Sequence, residues 1–210
     1  MGRPREFDEE AVLDAAVQCF WKRGYEATSI RDLIDGTGLT GASLYNAFGD
    51  KHSIYRRALD HYVEGSIGDR IRRCEAMEPR AAIEAFFREI LSRSLKDEEC
   101  KGCMLVNAAL DVAPEDPGFR AAVADVLQRI EGFFLSCIVK GRASGSITSS
   151  RPAEDLARHL LGVLMGVRVL ARVRPERALL EGVVDTALVL LDHVAIEPGN
   201  PGRKPGERAA

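Results

Sequence analysis

Residues 28–51 read TSIRDLIDGTGLTGASLYNAFGDK, and no other stretch of the chain limits its possible folds as strongly. Thr28 and Ser29 are cap-type residues, Ile30, Leu33 and Ile34 recur at helical spacing, and Gly36 and Gly38 mark a stop and a turn. A second helix is predicted to start near Thr40, with Leu44 and Phe48 facing inward and Ser43, Tyr45 and Asn46 pointing elsewhere. Two helices of this size joined by a tight turn make the pattern of a DNA-reading helix-turn-helix.

The rest of the chain reads as helix too. Ala, Leu, Val, Glu and Arg are abundant, and no run of alternating β-branched residues sits between hairpin turns. With 210 residues and 46% hydrophobic content, there is enough apolar material for a small N-terminal unit fused to a larger one. The division expected is residues 1–50, residues 51–195, and a Pro, Gly and charge-rich tail over 196–210 that reads as disordered. The N-terminus has no apolar signal core, and the apolar run 156–173 is interrupted by Arg158, His159, Arg168 and Arg172. A cytoplasmic protein with no membrane span is the expectation. Five cysteines without a secretion signal read as free thiols.

Taken in order, the arm at residues 2–7 carries Arg3 and Arg5, which suit backbone phosphates or a minor groove. A helix is predicted over residues 8–23, with Val12, Ala15, Ala16, Cys19 and Phe20 as its apolar stripe and Gly24 as its stop. The net charge is −3, and acidic residues outnumber basic ones over residues 1–51. Binding to DNA therefore requires the cations to cluster on one face, with affinity that depends steeply on salt.

The order DEEAVLDAAVQCFWKRGYEATSIRDLIDGTGLTGASLYNAFGDKHSIYRRAL resembles the DNA-binding domain of the TetR family of transcriptional regulators. Phe20, Gly24, Thr28, Gly38, Leu44, Tyr45, Phe48 and Lys51 stand at that family's spacing. The resemblance implies an all-α homodimer. Two three-helix units would read successive major grooves of a palindromic operator in double-stranded DNA, and a larger helical domain would dimerise and sense an effector. It further implies that Thr28 touches a phosphate, Thr40 to Asn46 enter the groove, Tyr45 reaches the backbone, and Lys51 holds a phosphate. Arg31 adds a further cation beside them. Helix N-termini, hydroxyls and a lysine are physically suited to such roles. Two positions depart from the family pattern: Gly41 replaces a longer side chain and Gly36 a usual alanine. Since Gly41 and Ala42 cannot make bidentate base contacts, sequence readout falls on Thr40, Ser43 and Asn46, with Ala42 offered to a thymine methyl.

Beyond the reading unit, a long connecting helix is predicted from Asp50, with Ile54, Ala58, Tyr62 and Val63 on one face. Pro79 opens the next helix, in which Phe86 and Phe87 are core or pocket lining. Cys100 and Cys103 form a C-x-x-C, but no second pair or close histidines complete a metal site, and neither metal nor cofactor is expected. The stretch KGCMLVN resembles a subset of TetR-like regulators whose cysteine responds to electrophiles or oxidants. Lys96, Lys101 and a helix start near Cys103 would favour its thiolate, with Cys100 the more exposed partner. The alternative is that Cys103 is a small buried residue opening a core helix.

A long helix over residues 119–142 precedes two strongly apolar helices, over residues 153–173 and 176–194. Leu160, Val163, Val167, Val184 and Leu188 lie among their apolar positions and are expected to pair with a second subunit, close approach being allowed by Gly162 and Gly166. Arg168 and Arg172 inside this pattern call for partners or an anionic ligand. The function expected is a DNA-binding regulator, a repressor released by a small molecule or by modification of a cysteine. The alternatives are a helical adaptor that has lost DNA binding and an enzyme. Against the latter, none of the four histidines lies in H-E-x-x-H, and there is neither a G-x-S-x-G elbow nor a phosphate loop.

Overall fold

The computed structural model describes residues 7–192, and every regular element among them is helical. Helix α1 (Glu9–Ala27) begins where Asp8 accepts hydrogen bonds from the backbone N–H groups of Glu10 and Ala11, at 3.0 and 3.4 Å. Val12, Ala16 and Phe20 are buried, joined by Leu13 and Val17, whereas Ala15 is only half-buried. Gly24 does break the helix, with φ 78° and ψ 173°, but one more turn continues to Ala27. That φ is a conformation glycine adopts without steric cost.

Helices α2 (Ile30–Thr37) and α3 (Gly41–Phe48) are separated by Gly38, left-handed at φ 71°. The N-cap of α2 is Ser29: its hydroxyl accepts from the Asp32 N–H at 3.1 Å, and the Asp32 carboxylate accepts from the Ser29 N–H at 2.8 Å, a complete capping box. Thr40 caps α3 by accepting from the Ser43 N–H at 3.2 Å. Leu33, Leu44 and Phe48 close the small core against α1. Gly41 has a local reason to lack a side chain, since a Cβ there would stand 3.3 Å from Ile34 Cδ1, where α2 and α3 meet.

Asp50 caps α4 (Lys51–Tyr62), accepting from Ser53 N–H at 2.7 Å, and the helix runs on through a π-helical segment (Val63–Gly68) into α5 (Asp69–Glu75). The expected inward face of Ile54, Ala58, Tyr62 and Val63 is buried. Regular α spacing continued from Tyr62 would turn Ser66 and Asp69 inward; the wider π turn shifts the register by one residue, and Ile67, Arg70, Ile71 and Cys74 are buried instead.

The C-terminal body comprises α6 (Pro79–Leu95), α7 (Met104–Asp111), α8 (Pro117–Ser144), α9 (Ala153–Val173) and α10 (Arg177–Val189). Its centre is aromatic: Phe87 stacks on Phe134 at 5.6 Å between centroids, and Phe86 meets Phe133 and Phe134 at 5.3 and 5.2 Å. Each such ring removed from water contributes about 1.5–3 kcal/mol. The segment after α8 is tied down by Leu191, whose carbonyl accepts from the N–H groups of Thr148 and Ser149 at 3.1 and 3.0 Å. Helix α10 ends at Val189, short of the end expected from sequence, and the expected boundary at residue 195 and the tail 196–210 lie outside the described residues.

Several contacts join the N-terminal unit to the body. Trp21 Nε1 donates to the Gly102 carbonyl at 3.2 Å, Lys22 pairs with Glu99 at 2.8 Å, and His52 of α4 meets Asp116 at 2.5 Å. The N-terminal unit therefore does not hang on the connecting helix alone.

Candidate DNA-reading face and sensing cleft

On α3, Leu44 and Phe48 point into the core while Thr40, Ala42, Tyr45 and Asn46 are exposed, Tyr45 at 47%, and Ser43 is half-buried. The outward face is thus small, polar and uncharged. Arg31 in the first turn of α2 is exposed. Lys51, at the start of α4, donates to the Glu26 carbonyl at 3.2 Å and lies 4.4 Å over the Tyr25 ring, which fixes its ammonium against the last turn of α1. Other cations nearby are neutralised: Arg23 pairs with Asp32 and Arg57 with Glu9. Hydrogen bonds from Ser29, with Arg23 adding to them, hold the Asp32 carboxyl down at about 2. Arg3 and Arg5 lie outside the described residues.

Thr28 corrects the sequence expectation. It is wholly buried, and its hydroxyl donates to the Gly24 carbonyl at 2.7 Å, with the Cys19 carbonyl at 3.3 Å. It closes the break after Gly24 and cannot reach a phosphate; the exposed residue at the start of α2 is Ser29. Nothing distinguishes two adjacent hydroxyl residues in sequence when either can cap.

Behind the reading unit lies a cleft of about 430 Å³, lined by Val17 and Trp21 of α1, Tyr62 and Ser66, Arg93 and Ser94 of α6, Lys101, and Arg168 of α9. It therefore touches both the N-terminal unit and the body, and its size suits a small molecule. Cys103 is the N-cap residue of α7 and is buried; the Tyr62 hydroxyl donates to its Sγ at 3.7 Å. Burial, together with that thiol, pushes the Tyr62 hydroxyl well above its usual range. Cys100 is half-buried, with φ 50° in the loop before α7. Lys101 lies 5.4 Å over the Trp21 ring and pairs with Glu99 at 2.9 Å; Lys22 and Lys101 together hold the Glu99 carboxyl at about 2.

The remaining candidate residues fall as follows. Phe86 and Phe87, expected as core or pocket lining, are both wholly buried in the aromatic core and do not line that cleft, although Phe86 borders a narrower internal cavity. Arg172 donates to Asn107 Oδ1 at 2.7 Å, pinning α9 to α7, while Arg168 takes the place facing the cleft. Leu160, Val167, Val184 and Leu188 are buried within this one chain, where α9 packs on α8 and α10, and so are not free to meet a partner. Of the five only Val163 is accessible, in an open apolar groove with Leu179, Gly182, Val183 and Thr186. Helices that are apolar around most of their circumference have two apolar faces, and sequence spacing does not say which is spent internally.

Arg70 gives no sign of its place in the sequence. Its context, DRIRRCE, reads as a solvated charged run, yet the structure buries it wholly just past the π turn. Among the described residues no helix is long and apolar enough to cross a membrane, and no group of His, Cys, Asp or Glu could hold a metal ion.

A helix-turn-helix whose second helix presents hydroxyl and amide groups, carried on a helical body with an internal cleft, defines a DNA-binding transcriptional regulator. Residues 12–58 match the family of bacterial regulatory proteins described as the tetR family, and residues 79–187 match a tetracyclin repressor-like C-terminal domain. The chain belongs to the TetR family. It is 29% identical over 194 residues to the uncharacterized HTH-type transcriptional regulator YezE of Bacillus subtilis (strain 168), covering 91% of this chain and 100% of that protein. It is 28% identical over 188 residues to the HTH-type transcriptional repressor ComR of Escherichia coli (strain K12), covering 89% and 88% respectively. Among solved structures, a cysteine mutant of the TetR family transcriptional regulator CifR, in complex with 26 bp double-strand operator DNA, is 34% identical with TM-score 0.78, covering 89% of this chain and 98% of that one. The reduced form of E. coli NemR, 20% identical with TM-score 0.75, shares the fold. These relatives are transcriptional regulators, not enzymes.

Proposed function

We propose that the chain acts in the cytoplasm as a homodimeric repressor that leaves its operator when the C-terminal body changes state. The exposed face of α3 carries the reading: Thr40, Ser43 and Asn46 supply donors and acceptors to base edges, and Ala42 supplies an apolar contact. Tyr45, Ser29, Arg31 and Lys51 flank that face and hold phosphates, and the complex of CifR with operator DNA supports duplex binding by a chain of this fold. The α9–α10 groove around Val163 meets its copy in the second subunit. One small uncharged helix reads too little for tight binding, so two are needed.

Release requires an effector that prefers the operator-incompetent state. The cleft between α1 and α9 is suitably placed, because anything seated there touches the reading unit and the body at once. Cys103 offers a second input, reached through Tyr62. Selection of binding sites from a random duplex library, followed by anisotropy titration of the selected site at several salt concentrations, tests the reading. A palindromic site bound by two chains, with a steep salt dependence, is expected; equal affinity for unrelated duplexes would sink it.

A further inference from the structure

Arg70 is wholly buried on the connecting rod, just past the π turn. One nitrogen, Nη2, donates to Glu89 Oε1 at 3.1 Å; Nε and Nη1 have no partner. Glu89 is not reserved for it, since Arg73 and Arg93 approach the same carboxylate at 2.7 and 3.0 Å. Nearby, Arg168 is 8% exposed and is bonded to a neutral group, Ser94 Oγ, at 3.3 Å. Three guanidinium groups thus share one carboxylate, and the fourth, that of Arg168, is buried near Arg70 with no carboxylate of its own among the described residues. Leaving buried donors unmatched is costly, and such sites persist where something else satisfies them.

Both arginines line a narrow internal cavity whose other walls include Phe86, Leu105, Leu164 and Met165. In the present conformation its free volume is about 10 Å³, room for roughly one water. Arg168 also lines the large cleft, so the two spaces meet at its side chain. Met165 is only half-buried, and an unbranched thioether is a wall that yields.

We propose that Arg70 and Arg168 form the polar end of a binding site for a small carboxylate, whose apolar remainder lies among Phe86, Leu105, Leu164 and Met165. The planar fork of an arginine matches the two oxygens of a carboxylate, and the unpartnered Nε and Nη1 of Arg70 are the donors such a group lacks in this cavity. Apolar walls exclude sugars and polyols, and clustered positive charge excludes amines. The site rests on the reading of this body as a sensor, and it says how the signal travels. Arg70 and Lys51 belong to one continuous helical rod, so a ligand that draws Arg70 toward α9 moves the start of α4.

The test uses the full chain without DNA: isothermal titration with butyrate, hexanoate, octanoate and benzoate, with hexanol, hexylamine and inorganic phosphate as controls. At least one carboxylate should bind saturably where its alcohol and amine do not. Arg70→Met and Arg168→Met should each weaken binding at least tenfold, with the helical circular dichroism unchanged. Arg73→Met, an exposed arginine on the same Glu89, should leave it unchanged. Removing a buried, poorly matched charge for a residue of similar volume is tolerated by folds, and if one variant fails to fold the other carries the test. No saturable binding by any of the four acids, or binding equal in both arginine variants, overturns the proposal. A carboxylate that binds through Arg70 yet leaves operator affinity unchanged supports the site and overturns release instead.

Discussion

Cys19 Sγ lies 2.5 Å from where a Cβ on Gly36 would stand, so α1 and α2 approach closely only because one of the two positions has no side chain. The same thiol donates to the Asp32 carbonyl at 3.6 Å, and burial leads the effects that raise its pKa. The glycine that departs from the family pattern is thus matched by a cysteine one helix away. Gly36→Ala should destabilise the protein by about 1–3 kcal/mol through overpacking, although alanine is the better helix former. In a Cys19→Ala background the same change should cost little or become favourable. Urea denaturation of the four proteins of this cycle, followed by the fluorescence of Trp21, measures the coupling; additive effects would show that the two helices simply move apart.

Thr28 and Ser29 are adjacent hydroxyl residues with opposite duties. Thr28→Val removes the hydroxyl that donates to two partly buried carbonyls and should cost about 1 kcal/mol of stability, while the salt dependence of operator binding stays as it was. Ser29→Ala removes a cap, worth about 1 kcal/mol, and on the proposed reading a phosphate donor as well. Lys51→Ala should lower the salt slope by about 1 for each reading unit and weaken all sequences alike, whereas Asn46→Ala should relax preference at one base pair by about 1–3 kcal/mol. Anisotropy titrations over a salt series separate these outcomes.

Asp32 makes the acid limb of stability predictable in sign. Its folded pKa, about 2, lies below the ordinary value of 3.8, because hydrogen bonds from Ser29 and the nearby Arg23 favour the carboxylate. A depressed folded pKa means stability that is complete above the unfolded value and is lost as pH falls from about 4 to about 2. Glu99 titrates in the same window, held down by Lys22 and Lys101, so the comparison must be with a variant. Asp32→Asn should unfold with a shallower pH dependence between those limits than the parent. Acid titration followed by Trp21 fluorescence is the measurement, and identical slopes would contradict the assignment.

The reading unit was legible in sequence because its punctuation is local. Asp8, Thr40, Asp50 and the left-handed Gly38 each act on neighbours within a few residues, so their chemistry names their place. The sensing region was less legible because its decisive events are not local. Arg70, in the charged run DRIRRCE just past the π turn at residues 63–68, is wholly buried. Phe86 and Phe87 pack on Phe133 and Phe134, distant in the chain, with Phe86 also on the wall of the narrow internal cavity. Arg168 and Arg172 stand one helical turn apart on α9, yet one faces a cleft and the other an asparagine.

The two cysteines of the C-x-x-C should differ sharply in reactivity. Cys100 sits half-buried in a loop, while Cys103 is buried under the Tyr62 hydroxyl. Iodoacetamide labelling of the native protein, read by peptide mass spectrometry, should modify Cys100 first and Cys103 only in step with local opening. Cys137, whose thiol burial pushes up to about 11, should be slowest to react at neutral pH. Fast labelling of Cys103 in the native state would show that the α7 start opens freely, and would strengthen its role as an input.

Leu160 and Val163 lie one turn apart on α9 and should separate folding from assembly. Leu160 is 1% exposed, so Leu160→Ala should cost about 2–5 kcal/mol of stability within each subunit. Val163, half-buried at the margin of the core, lines the open groove with Leu179 and Val183, and Val163→Glu places a charge in that groove. That variant should keep its helical content and its unfolding midpoint at low concentration, sediment as a monomer, and bind a single half-site weakly. Operator affinity should fall far more than the affinity of one reading unit for its half-site, because joining two units raises the effective concentration of the second. Sedimentation velocity with parallel operator titrations decides it. A dimeric Val163→Glu would move the subunit contact away from this groove and leave its apolar lining without an explanation.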